Sequence, residues 1–118
     1  MPTMLVYDRI KSEIKIISDR VATTHIEKDD INLFNAETLN EVAELVENST
    51  EISICCADFN QDGESAIKIV KKQYPETLTI VIADSTTNPA LYVKPSLMVA
   101  GLLLRPLSDE QVEIVLSE

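Results

Sequence analysis

Short apolar segments alternate with longer amphipathic segments along this chain, and the alternation recurs five times. The apolar segments predict strands at residues 4–7, 30–34, 52–57, 78–83 and 102–104. Strands that are separated by helices cannot pair through tight hairpins, so their pairing should be parallel. A parallel sheet is covered by helices on both faces. The predicted fold class is therefore α/β, with a five-stranded parallel sheet between two helical layers and right-handed crossovers.

The helices are predicted from apolar residues spaced three and four apart. The inward stripe of the first helix is Ile10, Ile14, Ile17 and Val21. Asn35 is the predicted cap of the second helix, whose inward residues are Leu39, Val42, Ala43 and Val46. Asn88-Pro89 predicts the start of a fourth helix, which Pro95 should make irregular. Ser108-Asp109-Glu110-Gln111 is a capping box that predicts the start of the last helix.

Length, charge and glycine content exclude several classes of protein. The 118 residues predict a single domain spanning residues 1–118. A net charge of −10 opposes binding to nucleic acid, and two glycines are too few for a phosphate-binding glycine loop. The sequence has neither the apolar run of a membrane span nor the pattern of a signal peptide. We therefore expect a cytoplasmic protein that binds neither membrane nor nucleic acid.

The candidate functional residues follow the predicted strands, because ligands of a parallel α/β sheet gather at the carboxyl ends of its strands. Asp8 follows the first strand, and Asp58 follows the third, which contains Cys56. Asp84 follows the fourth strand, and Arg105 follows the fifth. These five residues form the candidate site.

Two segments identify a resemblance to a known family. "DGESAIKIVKKQYPETLTIVIAD", which begins at Asp62, and "GLLLRPLSDEQV", which begins at Gly101, resemble the receiver domains of two-component response regulators. The likeness covers essentially the whole chain and implies a (βα)5 flavodoxin-like fold, as part of a longer signalling protein. It also implies a phosphoryl group accepted by an aspartate beside carboxylate-bound Mg²⁺, with a lysine and a Ser or Thr contacting that group.

The family pattern is changed at every one of these functional positions. Counting from Glu51 places Cys56 at the acceptor position, and the acidic pair of the first strand is reduced to Asp8. The hydroxyl, lysine and aromatic switch positions are occupied by Asp84 (or Ala83), Arg105 and Leu102. The sequence therefore predicts a pseudo-receiver: a domain that is not phosphorylated, is not an enzyme, needs no cofactor and acts through protein–protein contacts or dimerisation.

Arginine is not equivalent to lysine here, because its planar fork favours carboxylates. We expect Arg105 to pair with Asp84 or Asp8 across the pocket. The partner face is predicted at Tyr92, Met98 and Leu102, which would contact a second copy, another domain or another signalling protein.

Two other functions remain open at this point. The first is an active receiver phosphorylated on Asp58, with Mg²⁺ held by Asp8 and Asp58. The second is a thiol-dependent enzyme that uses Cys55 or Cys56, although adjacent cysteines in a central strand are more often core residues.

Overall fold

The structure is a computed structural model, and it describes residues 3–24, 32–84 and 99–117. Five parallel strands form one sheet in the order β2-β1-β3-β4-β5. The strands are β1 (Thr3–Tyr7), β2 (Asn32–Ala36), β3 (Ile54–Asp58), β4 (Leu78–Ala83) and β5 (Val99–Leu104). The predicted fold class is confirmed.

The helices cover both faces of the sheet. In the described parts of the chain they are α1 (Lys11–Thr24), α2 (Leu39–Asn48), α3 (Gly63–Gln73) and α4 (Asp109–Ser117), with a short 3₁₀ turn at Phe59–Gln61. Helices α1 and α4 pack beside each other, as do α2 and α3. Within the described residues, no helix has the length and apolar character needed to span a bilayer; the longest, α1, has 14 residues.

The core is divided by the sheet into two clusters, because successive side chains of a strand point to opposite faces. Met4 and Val6 pack with α1, whereas Leu5 and Tyr7 pack with α2 and α3. Cys55 and Cys56 divide in the same way, and both are buried. Alternation along the central strands therefore determines which residues can reach each side of the sheet.

The second strand and its helix differ from the sequence prediction. β2 ends two residues later than predicted, at Ala36, so Asn35 lies within the strand. Its side chain donates hydrogen bonds to the backbone carbonyls of Val6 and Asp8, each at 3.0 Å. Thr38 caps α2 by accepting the N–H of Glu41. The predicted cap at Asn35 is wrong, because the pairing of β2 with β1 extends through Ala36.

The inward faces of the helices agree with the prediction except at two residues, Ile10 and Ala43. Val42 and Val46 of α2 are buried, and Leu39 packs against them at the edge of the core, but Ala43 is exposed. In α1, Ile17 and Val21 are buried and Ile14 packs against them, but Ile10 precedes the helix and is 38% exposed. The apolar spacing therefore identified the buried side of these two helices, with Ala43 just outside that side in α2 and Ile10 before the first turn of α1.

The capping box at Ser108 is present in part. The Ser108 hydroxyl accepts the N–H of Gln111 at 3.2 Å. The Gln111 side chain does not reach back to Ser108 but bonds the backbone N–H and carbonyl of Leu104. Gln111 thus ties α4 to the end of β5, next to the cis Arg105-Pro106 peptide bond.

The predicted irregular fourth helix and most of the predicted partner face lie outside the described residues, since Tyr92 and Met98 belong to 85–98. Leu102 is described and lies on β5 with 36% of its surface exposed.

Candidate functional site

Four of the predicted site residues meet at one edge of the sheet. Each stands at or just beyond the carboxyl end of a strand: Asp8, Asp58, Asp84 and Arg105. Two positions before each of them is a residue of the core beneath α1 and α4: Val6, Cys56, Ile82 and Leu103. Since side chains two apart in a strand share a face, all four point to the same side. We call this group, together with Glu13 of α1, the carboxylate–arginine cluster.

Arg105 is at the centre of the carboxylate–arginine cluster and is held from two sides. Its Nε and Nη2 lie 2.8 and 3.0 Å from the two carboxylate oxygens of Glu13. Its Nη1 and Nη2 lie 3.1 and 2.8 Å from Oδ1 and Oδ2 of Asp58. Glu13 therefore binds two nitrogens of the guanidinium, the geometry in which arginine binds carboxylates best, while Asp58 accepts one hydrogen bond from Nη1 and has an ion-pair contact with Nη2.

The two carboxylates expected to pair with Arg105 are also present, but farther away. Asp8 Oδ1 lies 3.7 Å from Nη2, and Asp84 Oδ2 lies 3.9 Å from Nη1. Arg105 thus points into the pocket as predicted, with its side chain 14% exposed. Its shortest contacts are with Asp58 and Glu13, which the pairing prediction had not named.

Asp8 is the residue that the excess negative charge affects most. One guanidinium faces four carboxylates, so the cluster carries a formal charge of −3 when all are ionised. Burial and the neighbouring Glu13 raise the pKa of Asp8 from 3.8 to about 7. Its Oδ1 accepts the N–H of Ile10 at 3.0 Å, and its Oδ2 is buried with no hydrogen-bond donor among the described residues. A proton on Asp8, shared with Glu13, lowers the negative charge of the cluster and gives the buried carboxylate a hydrogen bond.

The ion pair with Arg105 shifts Glu13 in the opposite direction. Burial alone would raise the pKa of Glu13, but the hydrogen bonds from Arg105 and Asp8 lower it below its ordinary value. The same contacts raise the pKa of Arg105, and Glu13 is the largest cause. Arg105 and Glu13 therefore remain a charged pair across the whole physiological pH range.

The short loop after β3 is tied to the cluster through Asp58. Oδ1 of Asp58 accepts the N–H of Asn60 at 2.9 Å, and the side-chain amide of Asn60 donates to Asp84. Gly63 closes the loop so tightly that a Cβ atom there would lie 2.7 Å from the carbonyl oxygen of Asp58. The loop thus fixes the backbone on which the Asp58 carboxylate depends.

Cys56, the candidate acceptor position in the sequence, lies within β3 and not at its end. The predicted third strand ended at residue 57, whereas β3 continues to Asp58. Cys56 therefore lies inside the strand, paired with Ile80 and fully buried beneath the pocket. The end of β3 is therefore occupied by Asp58, one residue beyond the predicted strand end.

The two thiols have the surroundings of core residues. Burial raises the pKa of Cys55 to about 12 and that of Cys56 well above its ordinary value. Nucleophilic cysteines need the opposite shift, because the thiolate is the reactive form. This environment disfavours the thiol-dependent reading.

Tyr7 directly precedes Asp8 in the chain, but its side chain points away from the cluster. Its ring lies in the core beneath α2 and α3, and its hydroxyl donates to the carbonyl of Gln61 at 2.6 Å. Burial raises the pKa of this phenol. Tyr7 therefore ties β1 to the loop after β3 and supplies no charge to the pocket.

The donor set does not fit a Mg²⁺ ion. Mg²⁺ requires several oxygen ligands in an octahedral arrangement. Asp8 and Asp58, the two candidate ligands, both face the Arg105 guanidinium. Across 3–24, 32–84 and 99–117, no three His, Cys, Asp or Glu side chains are arranged to hold a metal ion.

Glu13 is the member of the cluster that the sequence analysis missed. A signal was present, since Glu13 lies three residues after Ile10 and four before Ile17, on the inward stripe of the first helix. A charged residue on such a stripe needs a buried partner, and Arg105 is that partner.

Solved structures show which proteins share the fold of this chain. CheY4, a chemotaxis response regulator of Vibrio cholerae, superposes with a TM-score of 0.78 at 17% identity, covering 99% of this chain and 97% of that one. A response regulator receiver domain protein from Clostridium thermocellum gives 0.74 at 16%, covering 99% and 92%. This chain has the receiver fold.

The receiver fold is not confined to chains named as regulators. A structure described as adenylate cyclase from Rhodopirellula baltica also matches, with a TM-score of 0.70 at 15% identity over 98% of this chain and 92% of that one. No protein-family model and no curated protein sequence matches this chain. The likeness thus establishes the receiver fold, and function must be argued from the site.

Proposed function

We propose that this chain is a receiver-type signalling domain whose phosphorylation pocket is filled by its own arginine, and that it acts by protein–protein contact without phosphotransfer. The observation that carries the proposal is the position of Arg105, whose guanidinium faces Asp8, Glu13, Asp58 and Asp84 together. The guanidinium supplies internally the positive charge that a receiver obtains from Mg²⁺ and lysine.

The geometry opposes phosphorylation in three ways. The Asp58 carboxylate faces two nitrogens of Arg105, so it is screened from an incoming phosphoryl donor. The second acid of the family's metal site is replaced by Tyr7, which lies on the other face of the sheet. Asp84 brings another negative charge where the family has a hydroxyl, and that charge repels a phosphoryl group.

Receivers use the surface around their last strand to contact partners, and the described part of that surface here is apolar. Leu102 and Leu104 of β5 are 36% and 48% exposed. The proposed partner is a protein with an apolar patch: another domain of a longer chain, another signalling protein or a second copy. The sequence also predicts Tyr92 and Met98 for this face, and both lie outside the described residues.

Treatment with acetyl phosphate, or with beryllofluoride, in the presence of Mg²⁺ tests the absence of phosphotransfer. We expect the intact mass of the protein to stay unchanged with acetyl phosphate, and beryllofluoride to leave its amide NMR spectrum unchanged. Asp58→Asn is the matched control, because it keeps the size of the side chain and removes the nucleophile. A mass gain of one phosphoryl group that Asp58→Asn abolishes would overturn the proposal.

That outcome would support the second candidate, a working receiver with Asp58 as acceptor. The observation in its favour is that Asp58 stands at the carboxyl end of β3, on the same side of the sheet as Asp8. Phosphorylation there would require Arg105 to leave the pocket. Arg105→Lys distinguishes the two candidates further, because a lysine has a single nitrogen and cannot make the paired contacts of Arg105 with Glu13 and Asp58.

A further inference from the structure

We infer that Glu13 is a positioning residue that holds Arg105 in the pocket, and that α1 thereby keeps the site closed. The inference rests on the proposed function, because it explains what fixes the internal arginine. It assigns to the first turn of α1 a role in controlling access to Asp58.

The first argument is the geometry of the contact. Glu13 binds the inner side of the guanidinium, Nε and Nη2, with both oxygens at 2.8 and 3.0 Å. Asp58 binds the outer side, Nη1 and Nη2. With only Asp58, the long arginine side chain would have a contact at its tip alone. The bond to Nε fixes the guanidinium near its stem, so the plane of the group has one orientation.

The second argument is the burial of Glu13. Only 7% of this residue is exposed, although it stands in the first turn of a surface helix. A carboxylate so placed is unfavourable unless it is paired and hydrogen-bonded. Arg105 supplies that pairing, and burial makes the resulting bond stronger than a surface ion pair.

The third argument is the position of Glu13 between two parts of the cluster. Its carboxylate contacts Arg105 directly and also raises the pKa of Asp8. Glu13 therefore connects the cation of the cluster to its most perturbed acid. Movement of the first turn of α1 would change both together, which gives a partner that binds α1 a route to the pocket.

The test compares Glu13→Gln with Glu64→Gln in the full chain. Glu64 is a matched control, because it also stands in the first turn of a helix and forms an ion pair, with Lys68. The measurement is the exchange rate of the Arg105 Nε–H proton with water, followed by ¹⁵N NMR. We expect Glu13→Gln to speed this exchange about tenfold or more, as for loss of a charge-assisted hydrogen bond, and Glu64→Gln to leave it unchanged.

Two further measurements separate positioning from a general loss of stability. The pKa of Asp8, read from its carboxyl ¹³C signal, should fall in Glu13→Gln and stay unchanged in Glu64→Gln. Glu13→Asp keeps the negative charge but shortens the side chain by one methylene. It should therefore speed the Nε–H exchange of Arg105, while the pKa of Asp8 should stay higher than in Glu13→Gln.

Unchanged Nε–H exchange in folded Glu13→Gln would overturn the role of Glu13 while leaving the proposed function intact. Phosphorylation of the wild-type protein on Asp58 would overturn the proposed function, whatever Glu13 does. The two failures are therefore distinguishable.

Discussion

At the scale of single residues, the pocket resolves a conflict between charge and burial. Four carboxylates cannot all remain ionised around one guanidinium in a space that excludes water. Arg105 stabilises the ionised form of Glu13, while Asp8 takes up a proton near neutral pH. The distribution of one proton and one guanidinium thus decides the electrostatics of the site.

The raised pKa of Asp8 predicts a pH dependence of stability. Its pKa is about 7 in the folded state and about 3.8 when unfolded, so between these values the folded chain binds more protons. The stability that this group contributes is complete below about pH 4 and is lost as the pH rises towards 7 and above. Asp8→Asn cannot titrate and should lack this loss.

Urea unfolding of wild-type and Asp8→Asn protein at pH 5 and pH 8 measures the effect. The variant should gain stability relative to wild type at the higher pH. Glu13 has a lowered pKa, so its contribution is lost only as the pH falls below its ordinary value of 4.5. His25 is common to both proteins and cancels in the comparison. If the difference in unfolding free energy between wild type and Asp8→Asn were the same at pH 5 and pH 8, Asp8 would not be the source of the pH dependence.

Removing the guanidinium of Arg105 should lower the free energy of unfolding. Arg105→Ala leaves the Asp58 and Glu13 carboxylates buried without their counter-ion, and breaking such a pair costs about 3–5 kcal/mol. Arg20→Ala is the control, because Arg20 also meets two carboxylates, Asp109 and Glu113, but at the surface. Urea unfolding at pH 7 should show about 1 kcal/mol or less for the loss of those surface pairs. A similar cost for the two variants would contradict the buried-pair account.

At the scale of elements, the loop between β3 and α3 decides how the backbone of Asp58 is held. Only four residues, 59–62, separate the last residue of β3 from the first residue of α3, and the 3₁₀ turn uses three of them. Asp62 adopts a left-handed conformation with φ of 68° to complete the reversal. The loop therefore brings Gly63 against the backbone of Asp58.

Gly63→Ala should therefore disturb both the fold and the site. The added Cβ would meet the carbonyl oxygen of Asp58 at 2.7 Å, and backbone cannot move as freely as a side-chain tip. We expect a loss of about 1–3 kcal/mol in urea unfolding, as for other overpacked sites. Ser65→Ala in the same first turn is the control, and its loss should be smaller. An unchanged stability of Gly63→Ala would show that the loop can relax.

At the same scale, the sequence pattern predicted elements better than their ends. The stripe Ile17 and Val21 identified the buried side of α1, because helical spacing alone defines that side. Asn35 was misassigned because a polar residue before a helix resembles a cap, whereas pairing with β1 kept it in a strand. The extent of a strand depends on its neighbour, and one sequence segment does not contain that neighbour.

At the scale of the whole molecule, the parallel sheet explains why the charged site residues lie together and why the two cysteines are buried. Strand ends that are far apart in sequence meet at one edge, so Asp8 and Arg105 contact each other across most of the chain. The middle of the sheet is covered on both faces, and the two thiols are enclosed there.

The enclosure predicts that neither Cys55 nor Cys56 reacts in the folded protein. Both have raised pKa values and negligible exposure, so alkylation by iodoacetamide should require opening of the sheet. The alkylation rate at pH 8, followed by mass spectrometry, should rise with urea in step with unfolding. Rapid modification of one cysteine without urea would support the thiol-dependent alternative.

The sequence by itself determined the parallel sheet, its two helical layers and the strand ends at which Asp8, Asp84 and Arg105 gather. Those features follow from local periodicity, which each segment carries within itself. Only the tertiary structure decided that β3 ends at Asp58 and that Glu13 of α1 binds the guanidinium of Arg105 with both carboxylate oxygens. Strand ends and buried ion pairs depend on contacts between segments distant in the chain, and such contacts leave only a weak trace in either segment.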